Sequence, residues 1–501
     1  MNFQSLRDRI DSFLTAAEEE RYQIALAQRR PPALGALFAA SANLFSVSRI
    51  TEMQRVLAAS AGMEERRLRS LLEFLARGRA LVVAAGPLDL RLQWDVFGTV
   101  PVEENRIPHR QILGALRLAS DPGRRHAIED AHLRILGEEG YVAEDFSTRH
   151  MEGIAELGYR SHVEAYQILG GIDLQATARD GQRFLDETRD LYYGLLSWYV
   201  PRVTGVELDA ATRADAARLQ ASPEFDSLLP GGEQNRRIPG VIGETGLQPM
   251  GEGRIHADWD AYLGGSTGAV CRTPDVPGRI LLAVAARSGR AALSFFLRAY
   301  GVALHNAYTD PALPVEHRRL GDDSVPAASG GLFESLLRIP LFLSRVYDFP
   351  RAELGDFLRI SALCTLLDVR RDVARLAFEL AYYEGRGDED VYAELFTEAT
   401  GFRHDPRAAV WEVEPEFDSA RRLRAAQLAA IHAATLRARF DDDWFRNPRS
   451  GGYLYDLFTH GRRYSAPELA VQLVSQKLGY EALLQELKEL VGRLPPTRTT
   501  P

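Results

Sequence analysis

The chain has 501 residues, 46% of them hydrophobic and 26% charged, with a net charge of −9 and two cysteines. That balance is ordinary for a water-soluble globular protein, and the length corresponds to about three domains of ~150 residues. Net negative charge argues against a nucleic-acid surface, which needs a concentrated basic face, and two cysteines exclude a Cys-based zinc site and fit a reducing cytoplasm.

The stretch 1–29 carries charge throughout (Asp8, Arg9, Asp11, Glu18, Glu19, Glu20) and does not read as a signal peptide. The richest apolar run, Ala80-Leu81-Val82-Val83-Ala84-Ala85, falls well short of the ~18 residues that span a bilayer, so no membrane contact is expected. Within 3–27, Phe3, Leu6, Ile10, Phe13, Leu14 and Ala17 recur at helical spacing with charges between them. The same pattern predicts helices over 48–60, 64–81, 109–118, 124–136, 148–169 and 177–200. Gly86-Pro87, Asp121-Pro122-Gly123, Gly170-Gly171 and Pro201 read as the breaks between them. No period of 30–50 residues recurs, which argues against a solenoid.

Between 229 and 278 glycine and proline crowd together, as in Pro230-Gly231-Gly232, Pro239-Gly240 and Pro277-Gly278. This segment is expected to form a boundary, a lid or the loop-rich edge of a cleft. Inside it, 268–272 and the run 280–285 predict two short strands joined by a turn at 273–278. Gly264-Gly265-Ser266-Thr267-Gly268 has the form of a nucleophile elbow but lacks the flanking strand and helix that motif needs, so it reads as a loop. Helical spacing resumes over 289–307, with Ser288 as its expected cap, and continues through 332–347, 351–383, 388–400, 420–440 and 466–490. The tail 495–501, rich in proline and threonine, is expected to be disordered. The chain thus divides into an N-terminal helical lobe (1–229), a cleft-edge segment (230–278), a second helical lobe (279–494) and the tail. The expected fold class is all-α and two-lobed, with a small β element near 268–285.

The most informative stretch is Arg298-Ala299-Tyr300-Gly301-Val302-Ala303-Leu304-His305. A zinc peptidase helix carries two histidines four residues apart, which puts both imidazoles on one face toward a shared metal. A glutamate beside the first histidine takes a proton from the metal-bound water. Gly301, Ala303 and His305, followed by Thr309-Asp310-Pro311, match the frame of such a helix. Downstream, Leu320-Gly321-Asp322-Asp323-Ser324-Val325 with Leu332 and Glu334 matches the run around a third ligand, and Glu416-Phe417-Asp418-Ser419-Ala420-Arg421-Arg422-Leu423-Arg424 a later strip.

These three segments, in this order, resemble the helical zinc oligopeptidases, the thimet oligopeptidase and oligoendopeptidase F group of gluzincins. At motif level the resemblance covers about 268–445. It implies a deep cleft between two lobes and zinc-dependent peptide hydrolysis, but the positions that carry the chemistry differ. The resemblance puts the ligand histidines at Arg298 and Val302, the catalytic glutamate at Ala299 and the ligand glutamate at Ala327. The tyrosines that would stabilise the oxyanion fall at Asp418 and Arg422. The family's zinc is therefore expected to be lost, with no cofactor in its place. Arg298 would restore positive charge on the same helix face, with Asp322, Asp323 or Glu334 as candidate partners of a buried guanidinium. The small run Ala327-Ala328-Ser329-Gly330-Gly331 either packs closely on the first helix or frays.

His305, Asp322, Asp323 and Glu334 are the candidate binding side chains of the emptied site, although a structural hydrogen-bonding role is the better reading of His305. None of the 11 histidines stands three or four residues from another. Glu316, His317, Asp322 and Asp323 offer a weaker alternative metal group, and Cys271 reads as a small apolar strand residue. The function implied is that of an inactive peptidase homologue binding a peptide or a partner protein such as an active paralogous peptidase. Two alternatives stand beside it: an enzyme with a rebuilt site, and a structural subunit with a collapsed cleft.

Overall fold

The computed structural model describes residues 2–27, 31–264 and 268–493. Ser266 of the elbow-like pattern and the tail 495–501 lie outside the described residues. The chain is all-α, with a two-stranded hairpin (Thr99–Val102, Asn105–Pro108) and one three-stranded sheet. Among the described residues, no helix is long and apolar enough to cross a membrane.

Amphipathic spacing accounts for most helices. Phe3–Ala25 starts at Asn2, whose side chain accepts the Ser5 amide at 3.1 Å, and buries Leu6, Ile10, Phe13 and Ala17. Phe13 meets Phe38, Phe45 and Phe74 at centroid distances of 4.9, 5.0 and 6.1 Å, which ties the first helix to its neighbours. One apolar core then runs from Leu6 to Leu487. Its axis is Arg351–Tyr383, a 33-residue helix packed against Leu174–Glu187, Arg189–Thr204, Asp418–Phe440 and Glu481–Arg493.

Several predicted helices are interrupted where local chemistry overrides the periodicity. The run 148–169 divides into Gly140–Ala155 and His162–Gly170, because Gly158 takes φ +81° and Ser161 caps the next helix through the Glu164 amide. The run 177–200 divides at Thr188, and Pro201 lies inside Arg189–Thr204 rather than ending it. The run 332–347 belongs to two helices, Ser324–Glu334 and Pro340–Tyr347, since Ile339 is extended ahead of its proline. Left-handed Ser475 ends Ala466–Val474, so 466–490 is also two helices. The Gly/Pro-rich segment holds a helix of its own, Glu233–Gly243.

The two predicted strands are Ala269–Asp275 and Arg279–Val284, paired antiparallel with Cys271 opposite Leu282. A third strand, Ile255–Asp258, pairs parallel to Arg279–Val284 on its other edge. The continuous burial of Ile280–Val284 suits a central strand covered on both faces. Ala269–Asp275 is packed by Phe3–Ala25 and by Arg290–Tyr308, and the Thr15 hydroxyl donates to Pro274 O at 2.7 Å. The sheet therefore braces one side of Arg290–Tyr308.

Candidate functional site

Two helices meet at the site backbone to backbone. A Cβ on Gly301 would lie 2.5 Å from Ser329 O, and one on Gly330 would lie 2.9 Å from Arg298 O and 3.1 Å from Val302 Cγ2. The run of small residues is thus the contact surface of Ser324–Glu334 against Arg290–Tyr308, and it does not fray. Ser288 does not cap the latter helix: Gly289 stands at that position and the Ser288 hydroxyl accepts the Gly231 amide instead.

Beside this crossing lies a cavity of about 570 Å³, walled by Arg290–Tyr308, Ser324–Glu334, Asp418–Phe440, Arg351–Tyr383 and the Ala269–Asp275 strand. Arg298, Ala299 and Val302 line it from one helix face, spaced as helical neighbours, and Ala327 faces it from the next helix. Four positions singled out in the sequence therefore share one wall. Arg422 lines it too, whereas Asp418, one turn earlier, does not; it is bonded to Arg421 at 2.8 Å.

Arg298 is held by two carboxylates. Its Nε lies 2.6 Å from Glu334 Oε2 and its Nη2 donates to Asp368 Oδ2 at 2.9 Å. Of the three expected partners only Glu334 is used, and Asp368 is an addition. The guanidinium is also not sealed off, since 45% of the side chain is open to the cleft. Burial alone would raise the Glu334 pKa, but Arg298, the Ser294 hydroxyl and Arg338 bring it below the ordinary carboxylate range. Asp368 goes the other way: burial outweighs Arg298, and the charge on Glu334 adds to the rise.

The other candidate residues point elsewhere. Asp322 accepts from Arg424 and from the Ala466 amide, both at 2.9 Å, and Asp323 pairs with Arg462 at 3.2 Å. Neither lines the cavity. His305 is fully buried behind the helix, with Nδ1 at 3.0 Å from Ser329 Oγ and Nε2 at 3.2 Å from Gly461 O. The carbonyl requires Nε2 to be the donor, so Nδ1 accepts from the hydroxyl, and burial lowers its pKa to about 3. Glu316 Oε1 accepts from Arg7 at 2.8 Å, while its buried Oε2 has no hydrogen-bond partner. Among the described residues, no three His, Cys, Asp or Glu side chains are placed to share an ion.

Asp368 and Asp372, one turn apart on Arg351–Tyr383, were not among the sequence candidates, yet both line the cavity. Their i,i+4 spacing in a helix otherwise rich in buried apolar residues was the available signal. Asp372 accepts from Arg422 Nε at 2.8 Å, while Arg422 Nη2 reaches Glu414 at 2.9 Å. Each of Arg298 and Arg422 thus sits between two carboxylates. Cys271 also lines the cavity, and burial pushes its thiol up to about 12, which leaves it unreactive near neutral pH.

No residue in this set fits zinc at the family's positions. Val302 and Ala327 have no donor atom, and Arg298 brings a cation where a dication would sit. No step of a zinc mechanism can be assigned to these side chains.

Neither a protein-family model nor a curated protein matches the sequence. Solved structures do match it in shape. An M32 carboxypeptidase from Deinococcus radiodurans R1 superposes with a TM-score of 0.60 at 14% identity, over 98% of this chain and 99% of that one. PZ peptidase A, solved with an inhibitor, gives 0.64 at 12% identity, over 99% and 97%. A Bacillus anthracis str. Ames protein described as an oligoendopeptidase F gives 0.64 at 12% identity, over 97% and 85%. The likeness extends through the N-terminal half, where no motif had signalled it. The chain has, over nearly its whole length, the helical fold of the oligoendopeptidase F and M32 carboxypeptidase structures.

Proposed function

We propose that this chain is a catalytically inactive metallopeptidase homologue whose cleft binds an unstructured peptide or a segment of a partner protein. The observation that carries this reading is the pairing of an open cavity of about 570 Å³ with a wall made of Arg298, Ala299, Val302 and Ala327. The space for a ligand persists where the side chains for hydrolysis do not. Ala299 cannot act as a general base, and Arg422 cannot donate as a phenol would. The size of the cavity also argues against the collapsed, purely structural alternative.

The rival reading, an enzyme with a rebuilt site, would rely on Glu334, Asp368 and Asp372. All three are engaged by arginines, which suits a charged wall better than a free acid or base. The proposed location is cytoplasmic, a reading that the small number of cysteines supports. The partner that suits the fold best is an extended peptide or an active paralogous peptidase; neither nucleic acid nor membrane is proposed.

The test combines three measurements on the purified full chain. Metal analysis should find no stoichiometric zinc, and mass spectrometry should find no cleavage of a mixed set of unstructured peptides. Fluorescence anisotropy with the same peptides should show saturable binding that Ala327→Trp, which fills the cavity, abolishes. Turnover that is lost in Glu334→Gln or Asp368→Asn would replace this reading with the rebuilt enzyme.

A further inference from the structure

A second recess of about 370 Å³ adjoins the cleft and shares Phe295, Arg298 and Asp368 with it. Its charge is one-sided. Arg117, Arg213, Arg290, Arg298 and Arg371 line it, against only Asp368 and Glu412. Both acids are already committed: Asp368 to Arg298 and to the Gln220 amide, which donates at 2.7 Å, and Glu412 to Arg375, with Arg213 at 3.9 Å.

Three guanidiniums are left without a carboxylate. Arg290 spends Nε and Nη2 on one neutral acceptor, Gln220 O. Arg117 lies over the Phe295 ring at 5.5 Å, and its buried Nε has no hydrogen-bond partner. Arg371 forms no hydrogen bond and no ion pair within 4 Å among the described residues, although it feels the charges of Asp368 and Glu412. The three repel one another: burial first, then Arg290 and Arg371, depress Arg117 to about 10. His132 and His404 in the same wall are held neutral, chiefly by burial, at about 2 and about 3. They bring neither negative charge nor a further cation.

Clustered arginines with unused donors favour a bound anion, because Asp368 and Glu412 act on them only from a distance and no carboxylate takes up their N–H groups. Leu113, Leu116, Phe295 and Leu367 give the wall an apolar side, with Gln220, Ser294 and Thr400 as neutral polar groups. Mixed lining of this kind binds small molecules that have both an apolar body and a charged group.

We propose that this recess binds a small organic dianion, a phosphate monoester or a dicarboxylate bearing an apolar group, held by Arg117, Arg290 and Arg371. A dianion rather than a monoanion matches three cations that have no carboxylate in contact. The site does not depend on the peptide-binding reading of the neighbouring cleft.

Calorimetric titration of the full chain with phenyl phosphate and with phthalate tests this and separates the two chemistries by which binds more tightly. At least one probe should bind saturably. Its affinity should fall at least tenfold in Arg117→Gln and in Arg371→Gln, and stay unchanged in Arg183→Gln, a surface control. Raising the salt should weaken binding. The Gln variants should melt no lower than the parent, since they relieve repulsion. If either fails to fold, Arg371→Lys keeps the charge, loses the fork and should bind several-fold more weakly. Absence of saturable binding of both probes, or equal binding by parent and variants, overturns the proposal. Inorganic phosphate binding as tightly as phenyl phosphate overturns the apolar part of it.

Discussion

Replacing Arg298 by alanine tests how this wall of the cavity is held together. A fully buried ion pair broken on one side would cost about 3–5 kcal/mol. Arg298 is 45% open to the cleft, and Asp368 is 38% exposed, so that half of the pair is worth only about 0.2–1 kcal/mol. Glu334 is 15% exposed and keeps its Ser294 hydroxyl when Arg298 is gone, so losing its main partner adds about 1 kcal/mol. The expected loss at pH 7 is therefore about 1–2 kcal/mol. Its pH dependence is the sharper readout. In the parent, Glu334 is depressed, so its contribution is present above the unfolded pKa of about 4.3 and is lost as pH falls through the lower folded value. In Arg298→Ala, Glu334 and Asp368 lose the cation that bridges them, and with only Arg338, Arg371 and Arg290 further off both folded values should lie above the unfolded ones. Such carboxylates destabilise only when ionised, so the deficit is full at pH 7 and shrinks toward pH 4.5. Urea midpoints at the two pH values measure this. A deficit that is the same at both, or one above about 3 kcal/mol at pH 7, would refute the account of a half-open pair.

Restoring the ligands, with Arg298→His, Ala299→Glu, Val302→His and Ala327→Glu together, should restore zinc binding, because all four positions share one cavity wall. Calorimetric titration measures it, and a folded variant that takes up no zinc would show that the helix crossing differs from that of an active peptidase; activity should stay low without the oxyanion donors, each worth ~10²–10³ in rate. Gly301→Ala should cost about 1–3 kcal/mol by overpacking against Ser329 O, and an unchanged melting temperature would argue against the close crossing. His162, His305, His404 and His432 are all lowered to about 3, chiefly by burial, so their contribution is complete above the unfolded value near 6.5 and is lost as pH falls. Each should cost roughly 1.4 kcal/mol by pH 5.5, partly offset by Glu379, which burial and Glu414 raise; a urea midpoint that stays flat from pH 7 to 5.5 would count against this.

Much of the fold was legible because periodicity and breakers act locally. The long helix Arg351–Tyr383 begins and ends where its pattern does, and Asp388 caps Glu389–Thr400 as its side-chain chemistry dictates. The misread junctions have a common cause. At Ser161, Ile339 and Ser475 a single cap or backbone choice interrupts a run whose apolar spacing continues through it. The strand Ile255–Asp258 escaped notice because only four residues pair, and they do so with a strand more than 20 residues away.

The candidate site divides in the same manner. Which residues stand at Arg298, Ala299, Val302 and Ala327 is a matter of sequence alone, and the absence of donors at three of them follows from side-chain chemistry with no structure needed. That Gly301 and Gly330 bring two helix backbones into contact, that Asp368 rather than Asp322 or Asp323 completes the hold on Arg298, and that Arg117, Arg290 and Arg371 gather in one recess were decided by tertiary packing. Local sequence sets which face of a helix is apolar or charged. Which faces meet depends on burial summed over the whole core, and only that sum places carboxylates and guanidiniums from distant segments within reach of one another.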